Sequence, residues 1–468
     1  MADKRQVEIL IIGSGEAGKY LAWTMAKAGR RTVVVERGLI GGSCPNIACM
    51  PSKNIVHSAK VEELARRGAE FGIATGTAAV NMAGVQARKR QMVDGLINVH
   101  RDRYEASGAE LVLGEAQFVA PKTVEVKKRD GGLLTLAGDQ VFLNVGTRAA
   151  IPDVAGLKAS NPMTHVAALD LDRLPEHLVV LGGGFVALEL AQAFRRFGSR
   201  ITMLVRGRQL APREDADVGE ELLRLFHDEA IDVRLNTELL EVQGESGQEL
   251  RLRVREQEGE RAIAASDILV ATGRVANTQS LGLEKTGVEL DDRGYIRVNE
   301  RLQTTASGIW AMGDCAGGPL FTHVAFDDFR IVRDNLTGGD RSSRGRIIPF
   351  CLFTDPELAR VGWSETAARN AGISYRLAKI PMAAVLRTRT LSEPRGFMKA
   401  LVSQQSDEIL GFTAFGTGAG EVMSVVQTAM LGRLPYTALR DAILAHPTLA
   451  EGLIVLFTAV PAFSKTAS

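Results

Sequence analysis

The sequence predicts an α/β chain made of two open, parallel-sheet units and a separate α+β domain at its C-terminal end. Two observations predict it. A short apolar run that ends in a glycine-rich turn and leads into helix-spaced residues occurs twice, from Val7 and again from Leu178. Beyond Arg346 this texture gives way to alternating strands and helices, such as Phe397 to Val402 and Val422 to Leu431. The 468 residues are enough for about two to four domains.

In the first unit, Val7 to Ile12 reads as a buried parallel strand and ends in Gly13-Ser14-Gly15-Glu16-Ala17-Gly18. Ala17, Leu21, Met25 and Ala28 then recur at helical spacing up to Gly29, and a second strand from Thr32 to Val35 ends in Glu36. Strand, G-x-G-x-x-G, helix, strand and acid stand in the order of the dinucleotide fingerprint. Gly13 permits the tight turn, Gly15 lets backbone approach a pyrophosphate, and Gly18 lets the helix pack on the strand. The helix N-terminus attracts the anion, and Glu36 can accept both hydroxyls of an adenosine ribose.

The second unit repeats the device. Leu178 to Leu181 precedes Gly182-Gly183-Gly184-Phe185-Val186-Ala187, with Ala187 in place of the last glycine, where only close packing is at stake. Its helix runs through Val186, Leu190, Ala193 and Phe197 to Gly198, and its second strand, Ile201 to Val205, ends in Arg206 rather than an acid. Arg208 and Arg213 follow. Guanidinium groups there suit a 2′-phosphate, which an acid would repel; the plainer alternative is a solvated basic face. Two nucleotides are therefore expected, one with a free ribose and one phosphorylated.

Two further strand-then-glycine endings, at Gly146-Thr147 and Gly273-Arg274, return the chain from one unit toward the other. Gly308 to Asp314 reads as a short buried strand that delivers a carboxylate, and Glu241 to Ala264 as an exposed β-meander. Composition excludes several function classes. Lysine plus arginine number 56 against 55 acids, a net charge of +1, which leaves no footprint for nucleic acid or an anionic membrane. The N-terminus lacks a signal-peptide pattern and Gly452 to Phe463 is too short to span a bilayer, so the expected address is the cytoplasm.

Four cysteines occur; Cys315 and Cys351 stand alone and read as core residues. Cys44 and Cys49 lie in Gly41-Gly42-Ser43-Cys44-Pro45-Asn46-Ile47-Ala48-Cys49-Met50-Pro51-Ser52-Lys53. A disulfide across so short a loop stabilises by only roughly 2 kcal/mol. Beside a nucleotide site in a reducing compartment, such a pair reads as a redox centre rather than a staple.

These residues resemble the flavoprotein disulfide reductases, the pyridine nucleotide-disulfide oxidoreductases related to lipoamide dehydrogenase, glutathione reductase and mercuric reductase. Gly41 to Lys53 matches their redox motif GGTCxNxGCxPSK apart from Ser43 and Ala48, and His446 to Glu451 matches their HPTxxE. The resemblance implies two Rossmann-like domains, for FAD and NAD(P), and an α+β dimerisation domain. It divides the chain into 1–150 and 276–345 for FAD, 151–275 for NAD(P) and 346–468 for the dimer. FAD contacts are implied for Gly13, Gly15, Gly18, Glu36, Gly42, Ser43, Lys53, Ala116, Gly146, Thr147 and Asp314. Gly182, Gly184, Ala187, Arg206, Arg213 and Gly273 are implied for the nicotinamide nucleotide. Lys53 would pair with Glu189 near the flavin, Cys49 would face the ring and Cys44 would meet substrate. His446, oriented by Glu451, would act as acid–base in the other subunit's site. His323 lies where the family brings a helix N-terminus to the flavin, so its backbone is expected to contact the ring; His57 and His100 show no readable partner.

Departures narrow the substrate. Arg206 stands where lipoamide dehydrogenases usually carry an acid, so NADPH is expected over NADH and a dehydrogenase component of a larger complex is the lesser alternative. Arg213-Glu214-Asp215 is closest to mercuric reductases, yet the tail from Phe463 to Ser468 has no cysteine and His446 is present. The expected reaction is hydride transfer from NADPH through flavin to the Cys44–Cys49 disulfide and on to a small disulfide. The enzymatic alternative is reduction of a soft metal ion held by both thiols.

Overall fold

The computed structural model describes residues 3–76 and 79–463. Met1, Ala2 and the cysteine-free tail at 464–468 lie outside the described residues.

The first apolar run becomes strand Asp3–Ile12, flanked in parallel by Thr32–Glu36 and Leu133–Leu143. Ile309–Ala311 joins in parallel on Leu133–Leu143, pairing Ile309 with Val141. Its three residues are buried, as are all five of Thr32–Glu36, which is why these strands read as continuous apolar runs rather than alternations. An antiparallel meander of Glu110–Ala120, Thr123–Lys128 and Leu133–Leu143 completes the sheet. The helix Glu16–Lys27 follows the first glycine turn.

The chain leaves this unit through Thr147–Ala149 and returns through Arg274–Ala276, and these two segments pair antiparallel with Ala149 opposite Arg274. Between them lies a four-stranded parallel sheet, ordered Asp267–Val270, His177–Leu181, Arg200–Val205, Asp232–Leu235. The charged stretch forms the expected meander, Glu238–Gly244, Leu250–Glu256 and Gly259–Ala265. One face is not exposed: Leu250, Leu252 and Val254 are fully buried, because strand alternation lets the charged residues point the other way.

Residues from Phe350 to Gly416 form a five-stranded antiparallel sheet. It packs under helices Ala419–Leu431 and Gly452–Thr458, with Val426, Leu453 and Phe457 fully buried. A buried lysine joins this domain to the second unit. Lys399 Nζ lies 2.9 Å from Asp215, 2.8 Å from Asp217 and 2.9 Å from Glu365. Its ammonium occupies the middle of that carboxylate cluster and is the cation paired with the buried Asp215, while Asp217 and Glu365 also pair with Lys379 and Arg369.

Candidate active site

The redox motif folds as two short helical pieces. Ser43–Ile47 ends at Ala48, and Cys49 then opens a new helix, Cys49–Arg66. The helix thus starts at Cys49 and has Lys53 inside it. Pro51 is compatible with this because a proline in the first turn has no intrahelical N–H bond to lose. Ile55 and Ala59 of this helix share a core with Leu188, Leu190 and Phe194 of helix Phe185–Phe197. That packing brings Lys53 to Glu189, with Nζ 2.8 and 3.0 Å from the two carboxylate oxygens. Glu189 also accepts the Phe353 N–H at 3.0 Å, and the Lys53 ammonium sits 4.7 Å over the Phe353 ring.

Both thiols are free and half-buried. They interact directly, and this separates their ionisation. The hydrogen bond from Cys44 draws the Cys49 thiol down to about 6, aided by the Thr322 hydroxyl and the Lys53 charge and opposed by burial. The same contact, with burial, pushes Cys44 up. Thr322 opens helix Thr322–Leu336, and its Oγ1 lies 3.3 Å from Cys49 Sγ. The sequence reading placed the helix N-terminus here at His323 and missed this hydroxyl; the His323 ring instead bonds the Pro349 carbonyl at 2.8 Å.

The first glycine turn has the tight geometry its sequence implies. Gly13 has φ +98, and a Cβ there would lie 2.3 Å from the Asn144 carbonyl oxygen. A Cβ on Gly42 would lie 2.6 Å from Gly15 Cα, and one on Gly18 only 2.4 Å from the Gly13 carbonyl oxygen. The redox motif and the glycine turn are thus in backbone contact, and Ser43 follows directly as the first residue of its helix. Gly146, at φ +65, faces open space. Thr147 donates to Asp314 Oδ2 at 2.8 Å and accepts from Arg274 Nε at 2.7 Å. Ala116 is buried in the core, so its backbone is what it has to offer.

Glu36 is already engaged. Oε2 accepts the Ser14 N–H and hydroxyl at 2.8 and 2.7 Å, and Oε1 accepts the Gly38 and Leu39 N–H groups at 2.6 and 2.9 Å. A carboxylate has about four lone-pair sites, so ribose contact there requires one of these bonds to exchange. Ser14, unremarked in the sequence reading, also accepts the Gly41 N–H at 3.0 Å. His100 does have a partner: its Nε2 lies 3.2 Å from Lys19 Nζ, and its ring stacks on Trp23. Sequence separation hid that contact. His57 is exposed.

In the second unit Gly182 has φ +128, and a Cβ would meet the Ala271 carbonyl oxygen at 2.4 Å, whereas Gly184 and Gly273 face open space. Ala187 is fully buried, as a close-packing position requires. Arg206, Arg208 and Arg213 are exposed and have no hydrogen-bond or ion-pair partner among the described residues. His446 is largely exposed in the single chain; its Nδ1 lies 3.0 Å from both oxygens of Glu451. That pairing fixes which ring nitrogen is left for proton transfer.

The model of the pyridine nucleotide-disulphide oxidoreductases matches residues 7–328, and the dimerisation domain of the same family matches residues 348–455. The chain belongs to this family. It is 35% identical over 459 residues to the probable pyridine nucleotide-disulfide oxidoreductase RclA of Escherichia coli, covering 97% of this chain and 99% of that one. It is 34% identical to a mercuric reductase of Shigella flexneri, covering 96% of this chain and 79% of the relative. A solved Cu(II) complex of the HOCl-induced flavoprotein disulfide reductase RclA superposes with a TM-score of 0.89 at 33% identity, covering 98% of this chain and all of that one. The protein is thus an NAD(P)H-dependent flavoprotein disulfide oxidoreductase, using FAD and a pyridine nucleotide and built to form a homodimer. Among the described residues no helix is long and apolar enough to cross a membrane.

The chain's residues fit FAD. Gly146 leaves open the space a Cβ would fill, and helix Glu16–Lys27 has no side-chain cap from Gly15, so that, with the Gly18 N–H taken by Asn144, the Glu16 and Ala17 N–H groups are left to an anion.

Proposed function

We propose that this protein is a cytoplasmic, NADPH-dependent reductase of small disulfides whose redox centre is the Cys44–Cys49 pair. The observation that carries the reading is the placement of two free, half-buried thiols, one of them against the Thr322 hydroxyl, beside the Lys53–Glu189 ion pair. FAD, when bound, supplies hydride acceptance from the nicotinamide and two-electron transfer to sulfur. Residues 1–150 and 276–345 hold it, through Gly13, Gly15, Gly18, Glu36, Gly42, Ser43, Lys53, Ala116, Gly146, Thr147 and Asp314. Residues 151–275 bind NADPH through Gly182, Gly184, Ala187 and Gly273. Arg206 and Arg213, free of internal partners, take the 2′-phosphate. Residues 346–468 form the dimer.

Cys49, ionised near neutral pH, remains beside the cofactor. Cys44 attacks the substrate disulfide and releases one thiol, then re-forms the bond to Cys49 as the second thiol departs. Contact with Cys49 and burial raise the Cys44 thiol, so an external base assists its attack. His446 of the partner subunit takes that proton and returns it to the leaving thiolate. The balance is one NADPH and one proton consumed for each disulfide reduced to two thiols.

A second reading has its own support. Two adjoining thiols, one easily ionised, also suit a soft cation, and both a mercuric reductase and a copper-bound relative lie close in sequence. NADPH oxidation measured with a panel of small disulfides, and separately with Hg(II) and Cu(II), separates the two. Disulfide turnover that disappears in Cys44→Ser is the expected result. Metal turnover without disulfide turnover would reverse the order.

A further inference from the structure

The peptide between Met312 and Gly313 is gripped at both of its polar ends by side chains from distant segments. Asn144 Nδ2 donates to the Met312 carbonyl oxygen at 2.8 Å. The Gly313 N–H donates to Asp328 Oδ2 at 2.8 Å. Asp328 comes from helix Thr322–Leu336, and its other oxygen accepts from Arg346 at 2.7 Å. Both gripping side chains are buried, Asn144 with 7% and Asp328 with 3% of its surface exposed. Gly313 itself adopts φ +69, and a Cβ there would come within 3.0 Å of Asn144 Nδ2. The next residue in the chain is Asp314.

Asn144 has a second task. Its Oδ1 accepts the Gly18 N–H at 2.9 Å, capping helix Glu16–Lys27 from across the sheet. A Cβ on Gly15 would lie 2.6 Å from that same oxygen. One amide therefore joins the glycine turn to the turn that carries Asp314.

We propose that Asn144 and Asp328 are positioning residues for FAD, clamping one peptide so that the Gly13–Gly18 turn and the Asp314 turn keep a fixed separation. The proposal rests on the assignment of FAD to these two turns. An extended cofactor held at two points binds tightly only if those points are spaced correctly beforehand. A buried polar network that holds both ends of the peptide supplies that stiffness. Neither residue needs to touch the cofactor.

The test titrates FAD into apoprotein of the wild type, Asn144→Ala, Asp328→Asn and the double variant, following flavin fluorescence. Visible circular dichroism of the loaded proteins and thermal midpoints of the apoproteins accompany it. Each single variant is expected to weaken FAD binding about tenfold, and the double by clearly less than the product of the two, since both act on one peptide. The flavin circular dichroism is expected to change. Unchanged FAD affinity with a lowered apoprotein midpoint would make both residues merely structural, and two independently multiplying effects would dissolve the shared clamp; either overturns the proposal. If Asn144→Ala does not fold, Asn144→Ser supports the same reading. A wild-type apoprotein that takes up no FAD refutes the underlying assignment instead.

Discussion

Cys49 occupies the first position of a helix, with a thiol donor, a hydroxyl and an ammonium group arranged around its sulfur. Its folded value of about 6 lies below the ~8.5 of a free thiol. The thiolate therefore dominates above that value and is lost as pH falls through it. Because the value is lowered on folding, it stabilises the reduced fold at high pH, and this contribution is lost as pH falls through about 6. In the reduced protein, ultraviolet thiolate absorbance is expected to titrate with a midpoint near this value and an amplitude of one thiol. Cys44→Ala should move the midpoint upward, because the Cys44 hydrogen bond is the largest cause. A midpoint that stays in place would assign the effect to Thr322 and Lys53. The Cys44–Cys49 spacing was legible because it is local. Thr322, 273 positions from Cys49 in sequence, was not, since no spacing rule links residues that meet only through tertiary packing.

At the scale of elements, the second glycine turn uses its glycines for different reasons. Gly182 needs its positive φ and its clearance from Ala271, while Gly184 has ordinary backbone and empty space where a side chain would go. Gly182→Ala is therefore expected to lower stability by at least about 1–3 kcal/mol, seen as a drop in thermal midpoint. Gly184→Ala should leave that midpoint nearly unchanged while raising the KM for NADPH. Equal destabilisation by both would mean that the open space at Gly184 is packing tolerance rather than ligand room. The sequence reading treated both as cofactor glycines, because a fingerprint carries residue type and order but not the direction of a Cβ. Pro51 sits within the first turn of the helix that Cys49 opens, where it has no intrahelical N–H bond to lose.

For the whole molecule, the proposed assignment of His446 to the partner subunit's site makes a prediction about subunits. His446 is largely exposed on a single chain, open to the thiols of a partner chain in the proposed shared site. Cys44→Ser and His446→Ala are each expected to be nearly inactive alone. Equal amounts dissociated and reassociated together should recover about a quarter of wild-type NADPH-dependent disulfide turnover, since half the dimers carry one intact site. No recovery, with heterodimers shown to form, would place both residues in the same subunit's site.

The amino-acid order by itself determined the two glycine-turn units, the redox pair, the arginines in place of an acid and the C-terminal change of texture. Each of these is written in neighbouring residues, through period, turn chemistry and charge. Only the tertiary structure decided that Asn144 and Asp328 hold one peptide, that Glu36 is engaged by four protein donors and that Lys399 fills a carboxylate cluster. Such contacts join segments far apart in the chain, and their partners are selected by burial and the need to satisfy every polar group, a condition that exists only once the chain has packed.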